Sequence, residues 1–389
     1  MKTITVLTAT RAEYGLLSPI IHALSECGKF NVRVVVTGAH LSPEFGLTYK
    51  EIEKDGFEID RKIEILLSSD TPSAISKSMG MAMIGFADYF AERRPDALVV
   101  LGDRYETLAV CCAAMNARIP IIHLYGGETT EGAVDEVIRH AITKLSYLHL
   151  TSTDEYRKRV IQLGESPDRV FSVGAIGVEN ALKRALLSKN KLEDELDFKL
   201  DKPYAVVTFH PVTLEDSSAE QQCRELIKAI EKHSEMKYII TKANADADGR
   251  VINKDLDELA ARNRNVAVFE SLGSIRYLSA LKYADMAIGN SSSGLLEVPS
   301  FKIPTVNIGD RQRGRLKAAS VIDCLPNVQS ICDAIDYAKS ETCREICETV
   351  ENPYGDGNTS AKIVDAIENM MRHDIDLKKK FYDIVVPLT

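Results

Sequence analysis

The amino-acid sequence predicts an α/β protein made of two doubly wound parallel sheets. Short runs rich in β-branched residues alternate with amphipathic helical stretches, which is the pattern of parallel α/β architecture. The length of 389 residues exceeds what a single hydrophobic core ordinarily organises. A charged stretch without a strand pattern, residues 180–203, separates two series of strands. Together these observations predict two domains of similar size.

The strands are predicted in chain order from the β-branched runs. In the first half they are residues 3–9, 31–38, 97–102, 120–125, 148–152 and 170–174. In the second half they are residues 204–210, 237–243, 265–271, 286–291 and 305–309. Helical patterns such as "GLLSPIIHALSEC" and "DEVIRHAITKLS" connect them. We predict a first domain at 1–180, a second at 200–370, and a tail at 371–389 that packs back on the first domain.

Composition and charge restrict the partners and the compartment. The net charge of −9 argues against nucleic acid, because phosphate backbones are bound by basic surfaces. No apolar run approaches the roughly 20 residues of a membrane helix, and "MKTITVLTATRAEYG" has no signal-peptide pattern. The eight cysteines form no CxxC pair, which favours reduced thiols used as small hydrophobes over a zinc site. We therefore expect a cytoplasmic protein with no nucleic-acid partner, no membrane partner and no metal site.

Polar residues follow the predicted strands of the first half. Ligands of doubly wound sheets bind beyond the carboxyl ends of the strands, so the cleft between the two domains is the expected site. Arg11 begins a helix whose start favours anions, with a surface arginine as the alternative. Asp103 follows "VVLG", where a helix N-cap is the alternative. Glu128 follows two glycines in "IIHLYGGE", and such glycines let backbone approach a ligand closely.

The helix that follows this loop carries two more candidates. Asp135 and Arg139 lie four residues apart in "DEVIRH" and therefore on one helix face. Their position next to the Glu128 loop points to an acidic cluster with an arginine. The alternative is an ion pair on the helix surface, which is our interpretation of the neighbouring Glu136 and His140.

The second half supplies groups suited to a nucleoside diphosphate. The chain has neither GxGxxG nor GxxxxGK[ST], so dinucleotide and P-loop binding have no support. His210 ends a strand in "TFHPVT", although a lone histidine is more often structural. The stretch "IGNSSSGLLEVP" offers hydroxyl and N–H donors to a phosphate at Ser291, Ser292 and Ser293, which could also cap the helix. Glu297, in the second turn of that predicted helix, could accept hydrogen bonds from a ribose.

Seven stretches of the chain together resemble the hydrolysing UDP-N-acetylglucosamine 2-epimerases of sialic acid biosynthesis. They are "TATRAEYG", "LGDRYET", "HLYGGE", "DEVIRHAITK", "FHPVT", "IGNSSSGLLEVPS" and "NIGDRQRGR". The similarity runs over nearly the whole chain. It implies a GT-B-like fold, in which two doubly wound Rossmann-like domains face each other across a cleft. It also implies conversion of UDP-N-acetylglucosamine to free N-acetylmannosamine and UDP, the first step of sialic acid biosynthesis, without a cofactor or a metal.

The resemblance assigns roles to the residues that match these motifs. Asp103, Glu128 and Asp135 would be the catalytic carboxylates at the sugar, with base and acid not distinguished, and the glycines would let the chain close on the sugar. His210 would be a donor or proton carrier. The residues that would bind the UDP-sugar are Arg11, Arg139, Ser291, Ser292, Ser293, Glu297 and Arg315. Members of this family form homodimers or homotetramers, so we expect a homo-oligomer.

Four alternatives share parts of this pattern. Relatives that hydrolyse UDP-N,N'-diacetylbacillosamine, on the route to legionaminic acid, would share every motif, because the substrates differ only at C4 and C6. Non-hydrolysing epimerases share the fold. A GT-B glycosyltransferase would explain two sheets and a phosphate-binding turn, but not three carboxylates in the first domain. A non-catalytic sensor of nucleotide sugars would bind without turnover.

Overall fold

Parallel strands form the centre of both halves of the protein. The computed structural model describes residues 1–67, 69, 71–129, 134–211, 219–243 and 249–384. The chain divides into two compact units. The first contains Met1–Asn180 together with the segment that begins at Tyr354, and the second contains Ala181–Pro353.

The first unit is built on a seven-stranded parallel sheet. Its strands are β1 (Lys2–Thr8), β2 (Phe30–Thr37), β3 (Ile59–Ile63), β4 (Ala97–Leu101), β5 (Ile121–Leu124), β6 (Leu148–Thr151) and β7 (Val170–Ser172). They lie in the order β3-β2-β1-β4-β5-β6-β7. All five residues of β4 are buried, because helices cover both faces of a parallel sheet. The helices of this unit are α1 (Arg11–Glu26), α2 (Tyr49–Lys54), α3 (Pro72–Glu92), α4 (Tyr105–Asn116), α5 (Val134–Leu145), α6 (Asp154–Gln162) and α7 (Ile176–Lys183), whose end passes into the second unit.

The second unit repeats this plan with six parallel strands. They are β8 (Tyr204–Thr208), β9 (Lys237–Thr241), β10 (Val266–Phe269), β11 (Met286–Gly289), β12 (Thr305–Ile308) and β13 (Val321–Cys324). Their order is β10-β9-β8-β11-β12-β13. The helices are α8 (Lys189–Leu196), α9 (Ala219–Lys232), α10 (Gly249–Arg262), α11 (Gly273–Tyr283), α12 (Ser293–Leu296), α13 (Val328–Ala338) and α14 (Glu341–Thr349), and α15 (Thr359–Met371) returns to the first unit. The prediction of two doubly wound parallel sheets is confirmed.

Two strands were missed because both are short edge strands. β3, with the sequence "IDRKI", pairs with β2 only, and β13, with the sequence "VIDC", pairs with β12 only. Neither contains a residue that is fully buried. An edge strand covered incompletely by helices does not need the continuous apolar run by which buried parallel strands are recognised.

The predicted end of the second domain at residue 370 is wrong. α15 lies on the first unit, where Ile363 and Ile367 share a hydrophobic core with Leu17 and Ile20 of α1. At the start of this segment, the Tyr354 carbonyl oxygen accepts a hydrogen bond from Ala175 N at 2.7 Å. The amphipathic pattern of α15 shows that it needs an apolar partner but does not say which unit supplies it. Residues 354–371 therefore belong to the first unit.

The carboxyl-terminal tail also contacts the first unit. Lys379 Nζ lies 2.7 Å from Glu165 Oε2 and 2.7 Å from the Ser146 carbonyl oxygen. Tyr382 N donates to the Gly164 carbonyl at 2.9 Å. The predicted tail extends to residue 389, and 385–389 lie outside the described residues. The described part of the tail thus contacts the first unit at and next to the buried carboxylate of Glu165.

That carboxylate, Glu165, makes stability depend on acid pH. Its side chain is 1% exposed, and burial opposes its ionisation, but hydrogen bonds from His149, Lys144 and Lys379 outweigh burial and lower its pKa to about 2. Because the unfolded carboxyl titrates near its ordinary value of 4.5, the stabilisation is complete above that pH and is lost as the pH falls towards 2. Its size is about 3 kcal/mol at most.

We expect Glu165→Gln to lower the free energy of unfolding at pH 7 and to flatten its fall between pH 5 and pH 3. Urea unfolding at both pH values measures this. The matched control is Glu155→Gln, on the exposed face of α6, which should leave the pH dependence as in the wild type. Equal pH dependence in all three proteins would contradict the role given to Glu165.

Candidate active site

Several of the candidate residues lie in loops that follow the strands at which each sheet reverses its winding. In the first unit the order changes direction between β1 and β4, and in the second between β8 and β11. Doubly wound sheets bind ligands at the carboxyl ends of such strand pairs. Arg11 follows β1 and Asp103 follows β4, while His210 follows β8 and Ser291 follows β11. Topology alone therefore selects these loops.

In the first unit, one buried arginine ties the acidic residues together. Arg139 of α5 is 3% exposed. Its guanidinium donates to the Asp103 carboxylate, to Glu136 Oε2 at 2.8 Å and to the backbone carbonyl of Glu128 at 2.8 Å. A buried guanidinium with charged acceptors fixes their geometry more firmly than a surface ion pair does. We call Asp103, Glu128, Asp135 and Arg139 the carboxylate cluster.

The members of the carboxylate cluster differ in their surroundings. Glu128 is 8% exposed, and Ser152 Oγ donates to its Oε1 at 2.7 Å. Asp135 lies in the first turn of α5 and is exposed. Its partial desolvation and the nearby charge of Asp103 raise its pKa, while Arg104 and Arg139 oppose the rise. A carboxyl group with a raised pKa beside ionised neighbours is what general acid and base chemistry requires.

Gly127, which precedes Glu128, is required by packing within the first unit, and its approach to a ligand stays a prediction. Its φ is 79°, and a Cβ built on it would lie 2.4 Å from the Tyr156 carbonyl oxygen and 2.9 Å from Val160 Cγ2. Both neighbours belong to α6, so the loop packs too closely on that helix for any side chain. The glycine is therefore needed by the fold itself. Glu131 of the same acidic stretch lies outside the described residues.

Arg11 is exposed as the first residue of α1. Thr10 caps this helix by accepting from Glu13 N at 3.3 Å. The position lies at the same edge of the sheet as the carboxylate cluster, because β1 pairs with β4. Its role towards a phosphate stays a prediction.

In the second unit, Asn290 joins the two loops at the reversal point. It is 1% exposed; its Oδ1 accepts from His210 N and its Nδ2 donates to the His210 carbonyl, both at 2.8 Å. Its own carbonyl accepts from Arg311 Nη1 at 3.1 Å and from Gln312 Nε2 at 2.9 Å. The side chain thus holds His210 next to the serine turn, Ser291–Ser293.

Gly289, which precedes Asn290, packs closely on β8. A Cβ built on it would lie 2.0 Å from the Thr208 carbonyl oxygen.

Of the helix capping predicted for the serines, the structure shows one contact, in which Ser291 Oγ accepts from Ser293 N at 3.4 Å. α12 has only four residues, Ser293–Leu296, and Ser292 at its N-cap makes no side-chain capping bond. Glu297 follows α12 rather than lying in its second turn, and a 3-10 segment, Val298–Phe301, comes next. Pro299 cannot continue the α-helix, because it lacks an N–H group. The hydroxyls of Ser292 and Ser293 are therefore not committed to helix capping.

Glu297 is partly buried beside this turn. Burial raises its pKa, while the nearby Ser293 hydroxyl and the charge of Arg315 act against the rise. Tyr277 of α11 faces the same serine, and burial raises its pKa to about 12. The structure thus brings His210, the serine turn, Glu297 and Arg315 to one edge of the second sheet.

Several residues of these two clusters were not predicted. Asn290 stood inside the quoted stretch "IGNSSSG", and Gln312 inside "NIGDRQRGR", so their place in the sequence was a signal. Ser152 and Tyr277 gave none, since their contacts depend on packing. Among the described residues, no group of three or more His, Cys, Asp or Glu side chains is arranged to hold a metal ion. No helix in the described ranges combines the length and apolar character needed to cross a membrane.

Comparison with known proteins extends over nearly the full chain. Residues 22–368 match a family model described as UDP-N-acetylglucosamine 2-epimerase. A GDP/UDP-N,N'-diacetylbacillosamine 2-epimerase (hydrolyzing) of Campylobacter jejuni is 41% identical over 98% of this chain and 99% of its own length. Polysialic acid biosynthesis protein P7 of Escherichia coli is also 41% identical, over 99% and 98%. A UDP-N,N'-diacetylbacillosamine 2-epimerase (hydrolyzing) of Legionella pneumophila is 32% identical over 97% and 99%.

Among solved structures, the UDP-N-acetylglucosamine 2-epimerase of Neisseria meningitidis bound to UDP-GlcNAc has a similar fold. The TM-score is 0.75 at 19% identity, with 95% of this chain and 100% of the other covered. At this identity the likeness concerns the fold. The predicted GT-B-like class, with two Rossmann-like domains, is confirmed by it.

Proposed function

The chain belongs to the UDP-N-acetylglucosamine 2-epimerase family, and from this premise we propose that it is a hydrolysing 2-epimerase of a UDP-linked 2-acetamido sugar. The observation that carries the proposal is the carboxylate cluster, in which the Arg139 guanidinium binds both Asp103 and the backbone of Glu128. Asp135 stands in the first turn of the same helix. Several carboxyl groups at one point suit a reaction that removes one proton and adds another at the same carbon.

The reaction has two steps. In the first, the bond between C1 and the UDP oxygen breaks, UDP leaves with the electron pair, and a carboxylate takes the proton from C2 as the C1–C2 double bond forms. In the second, water adds its hydroxyl to C1, and C2 receives a proton on the opposite face. The products are UDP and the free 2-epimer of the sugar.

We propose that the sugar is bound by Asp103, Glu128 and Asp135. The leaving diphosphate would be bound by the serine turn, Arg11, His210 and Arg315, and the ribose by Glu297. Hydroxyl donors and cations suit an anion whose charge grows as the bond breaks. The desolvated Glu297 carboxyl suits a diol, which offers it two hydroxyl donors.

The favoured substrate is UDP-N,N'-diacetylbacillosamine. Two of the three relatives described above carry this sugar in their names, at 41% and 32% identity. UDP-N-acetylglucosamine, which would give N-acetylmannosamine for sialic acid, is the second candidate. It is supported by the polysialic acid protein at 41% identity and by the name of the family model.

Release of UDP from the two nucleotide sugars decides between them. We expect kcat/KM for UDP-N,N'-diacetylbacillosamine to exceed that for UDP-N-acetylglucosamine by about ten-fold or more, the range that pocket contacts with small substituents provide. The reverse ratio would establish the second candidate. Turnover of either sugar only in the presence of an acceptor would favour a glycosyltransferase. The expected homodimer or homotetramer stays a prediction, which light scattering of the purified protein checks.

A further inference from the structure

Two buried carboxyl groups lie at the same edge of the first sheet as the carboxylate cluster, and the proposed reaction does not use them. Glu13 is in the first turn of α1 and is 5% exposed, and Glu106 is in the first turn of α4 and is 1% exposed. They are brought together because β1 and β4 are paired neighbours. Their charges interact, since Glu106 contributes to the raised pKa of Glu13. Two acids placed in one dry region must be balanced by protons or cations.

The two acids have different partners. Glu13 Oε2 accepts from Ala9 N at 2.7 Å, and within the described ranges no cation bonds to this side chain. Glu106 Oε1 accepts from Arg104 Nε at 2.5 Å. Each has one further buried oxygen, Glu13 Oε1 and Glu106 Oε2, with no hydrogen-bond partner in the described part of the chain. A buried carboxyl bonded to a guanidinium is stabilised as the anion, whereas at Glu13 the backbone N–H bonds favour the anion less than burial disfavours it.

Arg104 links this pair to the site. It follows Asp103 in the chain, its side chain is 46% exposed, and its charge acts on Asp135. In the described structure its Nε is bonded to Glu106, whereas no protein acceptor is bonded to its two terminal nitrogens. A guanidinium held at one edge presents the other edge in a fixed direction.

We propose that Glu13 and Glu106 form a buried acid pair of unequal members, Glu13 uncharged and Glu106 ionised, whose single negative charge positions the Arg104 guanidinium to bind an oxygen of the substrate. Glu106 is then a positioning residue, and Glu13 limits the charge behind it to one. The part that concerns substrate rests on the proposed function, whereas the charge states of the pair do not.

Burial is the largest cause of the raised pKa of Glu13, which is about 8 against an ordinary value of 4.5. In the described part of the chain, the charges that act on Glu13 are those of Glu106 and Arg104 at the start of α4. The titratable His40 after β2 is also close, since its backbone N donates to the Ala9 carbonyl at 3.1 Å. Because folded Glu13 keeps its proton while the unfolded residue loses it, stability falls as the pH rises from about 4.5 to about 8. Above that range the loss stays constant.

The test compares one chemical change at two positions. Glutamine reproduces a neutral carboxylic acid but not a carboxylate, so Glu13→Gln should lower kcat/KM for the UDP-sugar at pH 7 by less than about three-fold. Glu106→Gln should lower it by about ten-fold or more, the usual effect of losing a hydrogen bond to a charged group. Glu106→Gln added to Arg104→Gln should cause little further loss, since both act through one guanidinium. Equal losses in the two glutamine variants, or additive losses in the double variant, would overturn the proposal.

A second measurement does not need turnover and separates this inference from the proposed function. The free energy of unfolding, measured in urea between pH 5 and pH 8, should fall more steeply with rising pH in the wild type and in Glu106→Gln than in Glu13→Gln. Parallel pH profiles of wild type and Glu13→Gln would overturn the unequal pair even in an active enzyme. If the wild type released no UDP from either sugar, the proposed function would fail, and this profile would still decide the charge states.

Discussion

Replacing Asp103 by asparagine is expected to lower kcat for UDP release by about a thousand-fold, because positioned acid and base groups contribute effects of that order. The amide oxygen can still accept from Arg139, so the geometry of the carboxylate cluster should survive. What is lost is the charge that can take a proton or stabilise positive charge at C1. Steady-state release of UDP from the preferred UDP-sugar measures the effect.

The control for Asp103→Asn is Asp168→Asn, at an exposed position in the 3-10 segment Pro167–Arg169. It should retain wild-type kcat within about two-fold, as surface substitutions usually do. Binding of UDP to Asp103→Asn should also stay close to the wild type. A loss of kcat smaller than ten-fold in Asp103→Asn would remove Asp103 from the chemistry.

Replacing Gly127 by alanine is expected to lower the free energy of unfolding of the first unit by about 3 kcal/mol or more. An alanine at φ 79° costs about 1–2 kcal/mol. The new methyl group would also meet the Tyr156 carbonyl oxygen at 2.4 Å, and forced overpacking of this kind costs about 1–3 kcal/mol. Relief of the clash would move Glu128, so kcat should fall as well. Urea unfolding and UDP release measure the two effects.

Gly28→Ala is the matched control for Gly127→Ala. Gly28 also has a positive φ, 67°, but nothing lies within 4 Å of a Cβ built there. It should lose only the backbone part, about 1–2 kcal/mol, and keep its activity. An equal loss of free energy of unfolding in the two variants would show that the close contact between the Gly127 loop and α6 adds nothing to the destabilisation.

The strands and the loops at their ends were predictable because burial leaves a direct mark on the sequence. β4 is an unbroken apolar run that ends at Asp103, so both the strand and its polar residue could be identified. Glu128 and His210 were found in the same way. The edge strand β3 could not be found, since its exposed positions carry charges that any loop could carry.

The partners of the site residues depend on packing between segments far apart in the chain. Asn290 bonds to His210, 80 residues away, and Ser152 bonds to Glu128, 24 residues away. The sequence indicates that Gly127 has conformational freedom, but the reason for it is the carbonyl of Tyr156. The buried pair of Glu13 and Glu106 gave no signal either, because each looks like an acid in the first turn of a helix.

A proton NMR time course of the purified protein in D₂O with UDP-N,N'-diacetylbacillosamine tests the proposed reaction most directly. Elimination followed by hydration predicts that UDP and a free sugar appear together, that the sugar is inverted at C2, and that C2 carries deuterium. The same course with UDP-N-acetylglucosamine gives the comparison between substrates. Release of a free sugar that retains its C2 proton and configuration would show simple hydrolysis, and would contradict the role given to the carboxylate cluster.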